Sequence, residues 1–126
     1  MSNVQSGAFS VTKRQLESAT VVSLSGELDI QCVPNLLVEL RDVVSRRQGS
    51  VIMDVRELDY IDSAGLGVIA STYQSLSKSK RTFLAVGGHG LFERVMRLTQ
   101  LDRQLPCLPS LEDALERLRA SATPIG

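Results

Sequence analysis

The period of the hydrophobic pattern changes repeatedly along this chain, and that alternation constrains the fold more than any other feature of the sequence. Phe9 to Lys13 and Thr20 to Ser25 are short β-rich runs separated by the polar stretch Arg14 to Ala19, which predicts an antiparallel hairpin with a loose loop. After Gly26, apolar residues recur at three- and four-residue spacing in Val33, Leu36, Leu37, Leu40, Val43 and Val44, as on one face of a helix. Pro34 is compatible only with the first turn of that helix. Arg46 and Arg47 complement its C-terminus, and Gly49 can take the left-handed conformation that ends it. Val51 to Val55 is a compact apolar run carrying Asp54, expected as a central strand buried on both faces, followed by a polar turn from Arg56 to Asp62.

The alternation continues to the end of the chain. A second helix opens at Ser63, with Leu66, Ile69, Ala70, Tyr73 and Leu76 on its inward side and Ser71, Gln74, Ser75 and Lys78 outward. Thr82 to Val86 reads as a strand, Gly87 to Gly90 as a tight turn, and Leu91 to Leu98 as a short helix with Leu91, Val95 and Leu98 inward. Leu105 to Leu108 is interrupted by Pro106 and belongs at a sheet edge. Ser110 and Asp113 form a capping-box pattern ahead of Leu111, Ala114, Leu115 and Leu118, and Ala120 to Gly126 reads as a frayed tail. Helix crossovers join parallel strands, and the opening hairpin adds an antiparallel pair. The expected fold is α/β, a mixed sheet with helices packed against it, in one domain with a core from about residue 9 to about residue 119 between flexible tails.

Composition narrows the function. A chain of 126 residues with 43% apolar content can bury a core without disulfide or metal staples. Acidic and basic residues balance at 14 each, so no overall field collects nucleic acid or an anionic membrane, and recognition must come from a local patch. No stretch approaches the roughly 20 apolar residues that span a bilayer, and a cytoplasmic protein is expected. Cys32 and Cys107 lie far apart, without a CxxC pattern or a neighbouring histidine, which argues against zinc and a redox dithiol; buried free thiols are expected.

The densest functional signal is the run from Asp54 to Ile69. Ser63 stands where a helix N-cap is expected, with a hydroxyl able to accept a bond from an amide two or three residues on. Gly65 and Gly67 are each less favourable than alanine by roughly 0.8 to 1.0 kcal/mol inside a helix. Two of them in one opening turn suggest a need for close approach by another backbone or a phosphate to the Ser63 hydroxyl. Spacing alone leaves two readings open, an ordinary capping serine with packing glycines and a modifiable hydroxyl in an accessible turn.

Asp62-Ser63-Ala64-Gly65-Leu66-Gly67, with Leu58 and Ile61 before it and Gly26-Glu27-Leu28-Asp29 upstream, resembles the signature of the STAS domain family, particularly its free-standing anti-sigma factor antagonists. The resemblance covers nearly the whole chain and implies a phosphorylation site at Ser63. It implies two partners: an anti-sigma factor that is also a serine kinase, and a metal-dependent phosphatase of the PP2C type. Unphosphorylated antagonist holds the kinase and frees the sigma factor, and phosphorylated antagonist lets go. The partner-binding residues it implies are Glu27, Asp29, Asp62, Ala64, Gly65, Leu66 and Gly67. Many family members carry a second serine after the first; Ala64 leaves Ser63 as the only hydroxyl in this turn.

Other readings stay open beside this one. A related module could serve a secretion regulator or a lipid transporter, or sense a nucleotide or other small ligand. Glu27 and Asp29 also read as a solvated turn whose acids favour a helix start. His89, the only histidine, lies in Gly87-Gly88-His89-Gly90, and a Ser-His-Asp arrangement with Ser63 and Asp62 is not excluded by order. Yet Asp-Ser-Ala-Gly lacks the nucleophile-elbow pattern, and the glycine run lacks the GxxxxGK[ST] framework of a phosphate loop. No catalytic residue, cofactor or metal is expected, and the expected state is a monomer.

Overall fold

The computed structural model of the chain describes residues 9–46, 48–87 and 90–122. Among these, five strands form one mixed sheet in the order β1 (Ser10–Leu16), β2 (Ala19–Leu28), β3 (Ser50–Ile61), β4 (Phe83–Val86) and β5 (Cys107–Leu108). β1 and β2 are antiparallel, and β2 to β5 are parallel neighbours. Each parallel step is made through a helix: α1 (Val33–Ser45), α2 (Ser63–Lys78) and α3 (Leu91–Leu98), with α4 (Leu111–Ala122) closing the chain.

The strand alternation divides the core into two layers. Val22, Leu24, Val51, Met53, Val55, Phe83 and Ala85 face Leu36, Leu40 and Val43 of α1, Val68, Ile69 and Leu76 of α2, and Phe92 and Met96 of α3. Ala19, Val21, Ile52, Leu84 and Val86 face the opposite way and are covered by Ala114 and Leu118 of α4. β3 is therefore buried on both faces in its first half, as the apolar run predicts.

Several expectations need correction. The polar stretch Arg14 to Ala19 is not a loose loop: Arg14, Gln15 and Leu16 pair with Val21, Thr20 and Ala19, leaving only Glu17 and Ser18 in the turn. Likewise, Arg56 to Ile61 continues β3, with Glu57, Leu58, Tyr60 and Ile61 opposite Ser25, Gly26, Glu27 and Leu28 across two register shifts. Backbone pairing to β2 holds this segment extended, while Leu58 and Ile61 supply the buried side chains. The α3 face also differs. Phe92 and Met96 are buried, Val95 is half-buried, and Leu98 is 77% exposed; the side chain of Leu91 lies outside the described residues. α4 runs on to Ala122, beyond the point where a tail is expected. Thr72, unremarked in the sequence, is buried on α2 with its hydroxyl donating to the Val68 carbonyl at 2.9 Å.

Gly49 has φ +98° as expected of a left-handed residue, but it leads into β3 after α1 has already ended at an extended Arg46. The last carbonyls of α1 are met from elsewhere. The Arg81 guanidinium, just past α2, donates to the carbonyls of Val43 (3.3 Å), Val44 (3.1 Å), Gly49 (2.8 Å) and Arg46. Ser110 caps α4 as predicted, accepting from the Asp113 amide at 3.0 Å.

Candidate functional site

The parallel strands β2 and β3 end side by side, Leu28 opposite Ile61, and the chain turns from each into a helical segment. That carboxyl end of the sheet is where loops from successive crossovers converge. It brings together Glu27, Asp29, Asp62 and Ser63, and the α2 opening turn with Ala64, Gly65, Leu66 and Gly67.

The cap of α2 is Asp62, not Ser63. Asp62 is extended (φ −105°, ψ −177°), its Oδ1 accepts from the Gly65 amide at 3.0 Å, and its carbonyl accepts from the Leu66 amide at 3.0 Å. Aspartate is as good a cap as serine, so two capping residues in sequence leave the position undecided until the backbone is seen. Ser63 is the first helical residue and exposed; among the described residues its hydroxyl takes no hydrogen-bond partner. The capping explanation of this serine is thereby removed.

Asp62 does more than cap. Its Oδ2 accepts from the Ile30 amide at 3.1 Å, and its own amide donates to the Leu28 carbonyl at 3.1 Å. The β3–α2 turn is thus tied to the corner between β2 and α1. In that corner, Asp29 starts a 3-10 turn, Ile30–Cys32, by accepting from the Gln31 amide at 3.0 Å. The buried Cys32 thiol lies 3.4 Å from both the Asp29 carboxylate and the Glu27 carbonyl. Glu27 is exposed at the end of β2 beside Tyr60, which is 46% exposed.

The two glycines have different causes. A Cβ on Gly65 would stand 2.6 Å from Leu28 Cγ and 3.3 Å from Ile61 Cγ1, so this glycine lets α2 sit on the sheet. A Cβ on Gly67 would meet nothing within 4 Å, and the residue is exposed. The packing reading describes Gly65 and the access reading remains for Gly67. Leu66 is half-buried against the core, and Ala64 is half-buried.

His89 lies outside the described residues. Both Asp62 oxygens already accept backbone amides, which is the geometry of a structural cap rather than of a carboxylate orienting an imidazole. Among the described residues no group of three or more histidine, cysteine, aspartate or glutamate side chains could hold a metal ion. Sequence reasoning missed Ile30 and Tyr60, exposed to 68% and 46% beside the turn. The only sequence signal for Ile30 is an apolar residue between Asp29 and Gln31, and Tyr60 stands beside Ile61 with nothing to mark it as exposed.

Comparison with known proteins gives this arrangement a setting. The STAS domain family matches the chain across residues 10–114. The anti-sigma-F factor antagonist RsfB of Mycobacterium tuberculosis is 25% identical over 112 residues, covering 89% of this chain and 91% of its own. A crystal structure of an anti-sigma factor antagonist from Mycobacterium paratuberculosis superposes with a TM-score of 0.83 at 30% identity, over 89% of this chain and 95% of that one. The unphosphorylated antagonist SpoIIAA shares the fold, with a TM-score of 0.71 at 17% identity over 87% of this chain and 98% of its own.

Proposed function

The chain belongs to the STAS domain family and groups with its anti-sigma factor antagonists, and from that premise we propose that it is a binding switch controlled by phosphorylation of Ser63. Unphosphorylated, it holds an anti-sigma factor with serine kinase activity and frees the sigma factor; phosphorylated, it releases the kinase. A PP2C-type phosphatase resets it. The protein works in the cytoplasm and contributes binding, with the chemistry done by its partners; no helix among the described residues is long and apolar enough to cross a membrane.

The observation that supports the Ser63 assignment is its exposed, unengaged hydroxyl at the first position of α2, with the cap supplied by Asp62. Phosphorylation would add roughly −1.5 to −2 charges at this point. The free amides and dipole of a helix start tolerate an anion, so the fold has no reason to open. A partner surface matched to a small neutral hydroxyl does have reason to leave. It would meet a dianion beside Glu27, Asp29 and Asp62, and each roughly 1.4 kcal/mol of mismatch lowers affinity tenfold.

The test is incubation of the purified protein with ATP and a purified anti-sigma factor kinase encoded in the same genome, followed by intact mass and site mapping. One phosphate on Ser63, absent from folded Ser63→Ala, is the expected result. A kinase active on another antagonist that leaves Ser63 untouched, for every such kinase in the genome, would sink the assignment.

A further inference from the structure

We propose that Ile30 is a rigid apolar anchor for the anti-sigma factor, and that Asp62 is a positioning residue that holds it rather than a contact residue. This rests on the partner-switching reading above and extends its surface to a residue outside the phosphorylated turn. Four large apolar side chains stand out as exposed among the described residues: Ile30, Val38, Tyr60 and Leu98. Two of them, Ile30 and Tyr60, flank the turn that carries Ser63.

A single exposed isoleucine is ordinary. What sets Ile30 apart is the residue that holds its backbone, the cap of the helix that carries Ser63. The Ile30 amide donates to Asp62 Oδ2 at 3.1 Å, the next amide donates to Asp29 Oδ1 at 3.0 Å, and the Cys32 amide donates to the Asp29 carbonyl at 3.0 Å. Two carboxylates thus converge on one short 3-10 turn whose side chain points to solvent. A β-branched side chain has little χ1 freedom to lose. An exposed apolar group whose backbone is already ordered loses less entropy on docking, which favours affinity. Leu98, on the last turn of α3, is exposed to 77%, and no hydrogen bond among the described residues ties its backbone to the Ser63 turn.

The arrangement also divides the acids by role. Asp29 and Asp62 aim their carboxylates into caps, whereas Glu27 is exposed at the end of its strand and available to a partner. The occupant of the surface is the anti-sigma factor, because Ile30 is continuous with the Ser63 turn through the Asp62 bridge. Its matching chemistry is an apolar pocket for Ile30 beside a basic group for Glu27.

Asp62→Asn separates the two functions of Asp62. Asparagine caps a helix as well as aspartate. Its oxygen can keep the Gly65 bond, while its amide nitrogen cannot accept from the Ile30 amide. Binding of the anti-sigma factor that phosphorylates Ser63 would be measured for wild type, Ile30→Ala, Asp62→Asn, the double variant and Leu98→Ala, with thermal unfolding of each. Expected are at least a tenfold loss for Ile30→Ala, a smaller loss for Asp62→Asn at near-wild-type stability, and no change for Leu98→Ala. The double variant should bind no worse than Ile30→Ala, because Asp62 acts through Ile30. Wild-type affinity in Ile30→Ala, or losses that simply multiply in the double variant, would overturn the proposal. Protein carrying phosphoserine at position 63 keeps the two readings apart. If it loses affinity while Ile30→Ala does not, the anchor fails and the switch stands; if it binds like the unmodified protein while Ile30→Ala is weak, the switch fails and the anchor stands.

Discussion

Gly65 and Gly67 are two residues apart in one helix, yet the structure gives them opposite responses to the same substitution. Gly65→Ala would drive a methyl to 2.6 Å from Leu28 Cγ, and Leu28 is fully buried with little room to yield. Overpacking of this kind costs about 1–3 kcal/mol. The better helix propensity of alanine returns up to about 1 kcal/mol, so a net loss of stability is expected. Gly67→Ala meets no atom within 4 Å and should gain up to about 1 kcal/mol. If Gly67 is open so that a partner backbone can approach, the stabilised variant should also bind the anti-sigma factor more weakly. Urea unfolding midpoints read the first effect and titration with the partner reads the second. A Gly67→Ala protein that is more stable and binds unchanged would reduce Gly67 to a position without function. The sequence showed both glycines and their oddity. It could not divide them, because the cause of one is a leucine from a strand 37 positions earlier in the chain.

Among the elements, legibility followed how local the cause is. α1 was readable because Leu36, Leu40 and Val43 repeat on one face, and the start of α4 because Ser110 and Asp113 sit three apart in a capping relation. The second half of β3 was not readable. Its charged residues look like a turn, and what keeps it extended is pairing with β2 across two irregularities. α3 carries two competing apolar rows, Leu91-Val95-Leu98 and Phe92-Met96, and only the packing shows that the second is buried. The end of α1 depends on a residue more remote still. Arg81 donates to four carbonyls around that end, and burial pushes its pKa down, with the nearby Arg46 charge adding to the effect. Arg81→Ala should leave those carbonyls to water and lower stability by about 2 kcal/mol, in the range for hydrogen bonds from a charged donor. Lysine donates from a single nitrogen and cannot reproduce the planar fork, so Arg81→Lys should recover only part of the loss. Denaturant midpoints for the two variants check this; equal stability of wild type and Arg81→Ala would show that water serves the helix end as well.

At the scale of the whole molecule, a formal charge of zero conceals an ordered distribution. Glu93, Glu112 and Asp113 lie in the first turns of α3 and α4, while Lys78, Arg97 and Arg119 lie in the last turns of α2, α3 and α4. The helices all start at the carboxyl end of the parallel strands, so the first-turn acids of α3 and α4 lie at the end that carries Ser63, while the first turns of α1 and α2 hold none. The interior is closed to reagents as well. Cys32 is fully buried, whereas Cys107, also expected to be buried, is only half-buried at the sheet edge; partial burial together with Glu93 and Asp102 raises its thiol pKa to about 11. Its thiolate is scarce near neutral pH, so iodoacetamide should modify both cysteines slowly in native protein and rapidly in urea. Prompt native labelling of Cys32, followed by mass spectrometry, would show that the Glu27–Cys32 corner opens on its own.

The proposed switch at Ser63 can act in two ways. Phosphate on Ser63 could lower partner affinity through charge at an intact surface or by unfolding the turn. A dianion at the start of a helix gains about 0.3–1 kcal/mol from the dipole, and repulsion from Asp62 next to it acts in the opposite sense. The two effects oppose each other, and the unfolding free energy of the phosphoserine protein is expected to stay within about 1 kcal/mol of the unmodified protein. Equilibrium urea unfolding of protein made with phosphoserine at position 63 measures this without any kinase. An unchanged midpoint combined with a large loss of partner affinity locates the regulation in the electrostatics of the surface. An unfolding free energy lowered by several kcal/mol would instead make local unfolding of the Asp62–Ser63 turn the means of release, with Ile30 freed along with it through the shared carboxylate.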